Sequence, residues 1–94
     1  MSYRLLYHPR VPKDLKHVNR NTQERIATAL ENRLAIDPES YGKPLAGSLS
    51  GFWKMRVGDY RIIFKISKEE IWVLGIIDRR DVYSEILKRP DWAP

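Results

Sequence analysis

The sequence predicts an α+β domain: an antiparallel sheet with two N-terminal helices on one face and a short C-terminal helix. Three observations carry that prediction. Val11, Leu15 and Val18, then Ile26, Leu30 and Leu34 with Ala27, recur at helical spacing in the first third of the chain. Residues 53–57 and 60–66 alternate in side-chain character on either side of Gly58-Asp59, the pattern of a hairpin. Ile71–Ile77, IWVLGII, is apolar almost throughout, as for a strand buried on both faces.

Each element follows in order. YRLLY, residues 3–7, alternates loosely and reads as a first strand, broken by HPRVP. Pro12 suits the first turn of a helix, where its missing N–H costs nothing. Asn21 followed by Glu24 has the spacing of a helix N-cap, and the second helix is expected to run to about Ile36, stopped by Pro38. Residues 37–51 are rich in Gly, Pro and Ser and read as a loop. Across the Gly58-Asp59 turn, Val57 should oppose Tyr60, Arg56 oppose Arg61, Met55 oppose Ile62 and Lys54 oppose Ile63. Paired residues share a face. One face then holds Trp53, Met55, Val57, Tyr60, Ile62 and Phe64; the other holds Lys54, Arg56, Arg61 and Lys65, with Phe52 and Ile63 between them. The helices should cover the apolar face and leave the cationic face open or concave. Asp78 is placed to cap a last helix with Val82, Ile86 and Leu87 inward, ended by Pro90; Trp92 beyond it is expected to pack.

The 94 residues make one domain, residues 1–94, with 43% hydrophobic residues for one modest core. With no cysteine, neither a disulfide framework nor a thiolate metal site is available. No Gly-rich phosphate loop, metal-ligand cluster or Ser-His-Asp set is present, so no metal or cofactor is expected. The first ten residues lack the long apolar stretch of a signal peptide, and the longest apolar run is far short of the ~20 residues of a membrane helix. A cytoplasmic protein without a membrane partner is expected. Lys and Arg total 17 against 12 Asp and Glu; the net charge of +5 points to a polyanionic partner if the cations cluster.

They are predicted to cluster. Lys54 and Arg56 lie two apart on one strand, and Arg61 faces Arg56. Arg79 and Arg80 follow the third strand of the meander, and Tyr83 stands three or four residues further on. Lysine and arginine are ordinary on a solvated sheet face. Two arginines directly opposed are less so, because like charges across a ladder cost stability. A bound anion removes that cost, and phosphate matches the guanidinium fork. Cleavage of RNA by a 2′-hydroxyl also needs a proton acceptor and stabilisation of the phosphorane. His8 and His17 lie away from the cationic strands. A lysine serves only if its pKa falls from ~10.4 towards neutral, which neighbouring like charges favour; Lys54 is the candidate base.

The stretch KPLAGSLSGFWKMRVGDYRIIFKI, followed by LGIIDRRDVYSEIL, resembles the RelE/ParE family of bacterial type II toxin–antitoxin toxins, and the RelE-type messenger RNA interferases more closely. The family pattern is a Pro-Leu-x-Gly loop, a Lys/Arg strand, Gly-Asp-Tyr-Arg, an apolar strand, then His-Arg-x-x-x-Tyr. The resemblance implies a microbial-ribonuclease-like fold and a toxin held inactive by a small antitoxin, in a complex that binds operator DNA through the antitoxin. RelE-type members cleave messenger RNA on the ribosome without metal; ParE-type members share the fold and poison DNA gyrase. By position, the resemblance makes Lys54 the base, Arg61 the phosphate-stabilising arginine, Arg79 the arginine after the apolar strand and Tyr83 the residue that orients or stacks on substrate. Arg56 stands where the best-known member has a second lysine proposed as general acid, and Asp78 where many relatives have His. Lys65 and Arg80 complete the expected set as substrate-binding cations.

Overall fold

The computed structural model describes residues 2–89. Strand β1 (Arg4–Tyr7) leads into helix α1 (Val11–Leu15), with Pro12 in its first turn as expected. Helix α2 (Arg20–Ala29) starts two residues earlier than the sequence indicated. Its cap is Asn19, not Asn21: the Asn19 side chain accepts a hydrogen bond from the Thr22 amide at 2.9 Å. Gln23 then donates to the Leu15 and Val18 carbonyls at 2.7 and 3.0 Å, tying the two helices together. The last turn of this helix widens to a π-helical turn, Leu30–Leu34, in which the Ala35 amide reaches the Leu30 carbonyl. Leu30 and Leu34 stay buried while Arg33 is turned outward.

Residues 37–51 are not a plain loop. They hold helix α3 (Pro38–Tyr41), a two-residue strand β2 (Lys43–Pro44) and a 3₁₀ turn (Gly47–Leu49). Strands β3 (Trp53–Val57), β4 (Tyr60–Ser67) and β5 (Glu70–Asp78) form the meander. Helix α4 (Val82–Ile86) closes the described chain; Pro90 and Trp92 lie outside the described residues. Asp78 does not cap α4. Asp81 holds that position, and the Asp78 carboxylate accepts instead from the backbone and side chain of Arg80.

The sheet has five strands in the order β1-β5-β4-β3-β2. It is mixed, not wholly antiparallel, because β1 lies parallel to β5, with Arg4 beside Glu70 and Tyr7 beside Val73. Between β4 and β5 the register shifts at Ile63/Phe64: Ile63 pairs with Gly75 and Phe64 with Val73, so Leu74 is an extra residue. The bulge re-phases β5. Ile71, Val73 and Ile76 face the N-terminal helices, and Leu74 and Ile77 face α4. This two-sided burial is why the segment is apolar without a clean alternation.

Two cores result. The larger joins Val11, Val18, Ile26, Leu30 and Leu34 of the helices to Met55, Val57, Ile62 and Phe64 of the sheet, the apolar face the alternation indicated. The smaller packs Val82 and Ile86 of α4 on Phe52, Ile63, Leu74 and Ile77. The second face is therefore only partly open, because α4 covers its apolar middle. Beyond the end of β1, the free edge of β5 is closed by side chains. The Ile76 amide donates to the Asp14 carboxylate, and the Leu74 carbonyl accepts from Arg89.

Candidate functional site

The site begins with the β3–β4 hairpin. Gly58 sits at φ 59° in the first position of the turn and Asp59 does not share the positive φ, as a type II′ turn requires. That turn fixes the register: Arg56 opposes Arg61, and Lys54 opposes Ile63, as the sequence indicated. A second like-charge opposition lies beside the first. The short strand β2 pairs Lys43 with Lys54. Directly opposed residues point to the same face, so four cations crowd the sheet at its β2–β3–β4 end.

Lys54, Arg56 and Arg61 line a concavity of about 300 Å³ together with Arg33, Tyr41 and Lys43. Lys54 and Arg61 are half-buried; Arg56 is exposed. The Arg61 guanidinium makes only long contacts, 3.4 and 3.3 Å, to the Gly58 and Tyr60 carbonyls, beyond the usual N–H···O range, so it is free to turn to a ligand. Four cations elsewhere form ion pairs: Arg4 with Glu70, Arg80 with Asp78 at 3.0 Å, Lys88 with Glu85 at 3.3 Å and Arg89 with Asp14 at 2.8 Å. Among the described residues, no carboxylate forms an ion pair with Lys43, Lys54, Arg56 or Arg61. The lining of the concavity is net positive among the described residues.

The other expected residues lie around it. Arg79 is exposed, and its amide donates to the Asp59 carbonyl at 2.9 Å, so its backbone is tied to the turn that Arg61 touches. Tyr83 is 61% exposed on the first turn of α4. Neither lines the concavity. Lys65 shares the strand face but stands over the Phe52 ring, 4.7 Å from its centre. Arg80 turns away into a different cleft of mixed charge, about 550 Å³, between α1 and α4. Its guanidinium donates to Asp78 and holds that carboxyl below the ordinary carboxylate range. Asp78 is thus an engaged carboxylate at neutral pH, no proton donor. His17 lines the same mixed cleft, and the His8 ring nitrogen accepts from the Arg10 amide at 3.0 Å. Neither histidine lines the concavity. Sequence reasoning missed Arg33, Tyr41 and Lys43. The available signal was the Tyr-Gly-Lys-Pro string, absorbed into a loop.

Residues 5–83 match the family model of the ParE toxin of type II toxin–antitoxin systems, parDE. The chain belongs to the ParE toxin family. This toxin also shares its fold with solved members of such pairs. It is 22% identical to a chain of the RelBE2 toxin–antitoxin complex of Mycobacterium tuberculosis, with 84% of this chain and 100% of that one covered at a TM-score of 0.76. The RelE–RelB complex of Pyrococcus horikoshii gives 25% identity, 84% and 97% coverage and a TM-score of 0.65. The DinJ–YafQ complex of E. coli gives 22%, 88% and 99%, and 0.61. None of the curated proteins matches the sequence. The toxin is thus a RelE/ParE-type member by family and by fold.

Proposed function

We propose that this toxin is an endoribonuclease that cuts messenger RNA on the translating ribosome and is silenced by a cognate antitoxin. The observation that carries the reading is the pair of like-charge oppositions, Lys43–Lys54 and Arg56–Arg61, which line one concavity without a carboxylate partner among the described residues. A fold that needed only stability gains from a Glu at any of the four positions. A site for a phosphodiester needs the cations.

In this reading Arg56 and Arg61 hold the scissile phosphate and stabilise the charge that builds on its equatorial oxygens. The Lys54 amine takes the proton of the neighbouring 2′-hydroxyl, whose oxygen attacks phosphorus. The P–O5′ bond breaks, the 5′-oxygen takes up a proton from water, and a 2′,3′-cyclic phosphate is left. Arginine, protonated at any working pH, is suited to the charge and not to the proton. Arg79 and the exposed Tyr83 approach the substrate from the α4 side; Lys65 and Arg80, engaged with Phe52 and Asp78, add outlying charge. The antitoxin is an acidic, partly disordered chain that folds on the basic surface.

Toeprinting on translating ribosomes tests the activity: wild-type toxin should produce new messenger ends and Arg61→Ala should not. The family-model match to ParE supports a second reading, inhibition of DNA gyrase without nuclease chemistry. Uncut messenger together with blocked supercoiling by gyrase would favour that one.

A further inference from the structure

The strand cations are not the end of the basic surface. Strand β2 covers only Lys54 and Trp53 of β3, so among the described residues the outer edge of β3 beyond Lys54 has no strand beside it. The concavity opens along that edge. A second hollow, about 320 Å³, continues it toward α2; it shares Arg33 and Arg56 with the first and adds Arg25. The Arg33 guanidinium stands over the Tyr41 ring, 5.9 Å from its centre, and the ring is half exposed. Among the described residues, Glu24 is the only carboxylate lining the second hollow, and no ion pair links it to Arg25 or Arg33.

Two features hold this platform in place. The π-helical turn carries Arg33 outward at the edge of the sheet. Gly42, between Tyr41 and Lys43, lies so close to the core that a Cβ there would stand 2.6 Å from the Phe64 ring and 2.9 Å from the Pro38 carbonyl. Tyr41 and Lys43 therefore flank a segment pressed on the sheet, not a free loop. A half-exposed aromatic ring, a guanidinium within cation–π reach of it and cations on both sides are what a single strand of nucleic acid uses: bases stack, phosphates follow the charge.

Building on the nuclease reading, we propose that Tyr41 and Arg33 form a second nucleotide subsite. It takes the base of a nucleotide flanking the scissile one, while Lys43 and Arg25 hold the phosphates on either side. The ligand is single-stranded RNA, running from the Lys54–Arg61 concavity along the open edge of β3 to α2.

The experiment is binding of 2′-O-methyl oligoribonucleotides, which cannot be cut by 2′-hydroxyl attack, with lengths of two to six nucleotides, to the isolated toxin. Wild-type affinity should rise steeply with length. Tyr41→Leu should remove that gain, about tenfold on the longest strand, and Tyr41→Phe should keep it. Arg25→Ala should lower the slope of log affinity against log salt by about 0.7, one phosphate contact on a single strand. Affinity that ignores length, or a Tyr41→Leu variant that binds six nucleotides like wild type, overturns the subsite. So does a result in which these variants weaken only the grip of an acidic protein partner. Failure of the nuclease reading looks different: the length dependence and its loss in Tyr41→Leu persist while messenger RNA on ribosomes stays intact.

Discussion

Arg89 sets both terminal nitrogens of its guanidinium on the Asp14 carboxylate, at 2.8 and 2.9 Å, across 75 residues of chain. Its side chain is 3% exposed and that of Asp14 11%. The same guanidinium donates to the Leu74 carbonyl, and the Asp14 carboxylate accepts from the Ile76 amide. The pair thus takes over the hydrogen bonding of β5 where β1 stops. Among the described residues the Arg89 Nε has no partner, so the fit is not complete. Removing Asp14 leaves the buried guanidinium with Glu85, at 3.4 Å, as its carboxylate partner, and costs up to about 3–5 kcal/mol. Asp14→Ala should therefore lower stability by about that amount in urea unfolding. The double variant Asp14→Ala/Arg89→Met should recover a large part of it. Equal losses in the single and the double would assign the effect to packing.

The Arg56–Arg61 opposition gives a prediction of the reverse sign. Arg61→Ala should abolish toxicity in cells while stability holds or rises by a few tenths of a kcal/mol, since a repulsion is relieved and only long hydrogen bonds are lost. A marked drop in Tm would make Arg61 a structural residue.

Lys54 separates charge from proton transfer. Lys54→Met should slow single-turnover cleavage of ribosome-bound messenger strongly and leave binding nearly intact, because Lys43, Arg56 and Arg61 remain in the concavity. Lys54→Arg should be nearly as slow across pH, keeping the charge without a proton to give up. An arginine variant cutting at the wild-type rate would confine Lys54 to an electrostatic role.

His8 predicts a pH effect on stability. Loss of water lowers its pKa from 6.5, helped by the positive charges of Arg89 and Arg10 and opposed by Asp14. Below 6.5 and above the lowered value, the unfolded chain binds a proton that the folded protein does not. Its contribution is thus complete above 6.5 and declines as the pH falls through that window. Urea midpoints at about pH 7.5 and about pH 5.5 should differ less in His8→Gln than in wild type. The same difference in both proteins would move the effect to another group.

Gly42→Ala tests whether the close approach to Phe64 is needed. The added methyl meets a fully buried ring and a carbonyl, so a loss of about 1–3 kcal/mol is expected, read as a fall in Tm. A variant as stable as wild type would show that the segment carrying Tyr41 has room to shift.

The Arg56–Arg61 pairing was legible because a two-residue turn and a side-chain period of two leave one register. The larger core was legible for the same reason, with Ile26, Leu30 and Leu34 marking the helical face. What escaped is long-range or short. Strand β2 is two residues in a Gly/Pro-rich stretch and shows no period, so its Lys43–Lys54 opposition depends on a chain reversal that only the folded core dictates. Arg33 sits in a turn wound to a different period, and Tyr41 reaches the site because Gly42 can touch Phe64. The parallel β1–β5 pair and the Asp14–Arg89 contact join the two ends of the described chain, where no local pattern speaks.

The pairing of β1 with β5 also sets an order in time. Arg4 and its partner Glu70 are 66 residues apart. At about 5–20 residues per second of synthesis, the first strand waits roughly 3–13 s before the strand it must lie beside exists. The β3–β4 hairpin, by contrast, can close within about 1–10 μs once made. The cationic arginine pair is thus brought together early, on a hairpin with no completed sheet behind it. The rigid background that would aim those side chains at a phosphate arrives only with β5. With β4 ending at Ser67 and β5 at Asp78, a nascent chain carries the charges for only roughly 0.5–2 s of synthesis before the strand that completes their background exists.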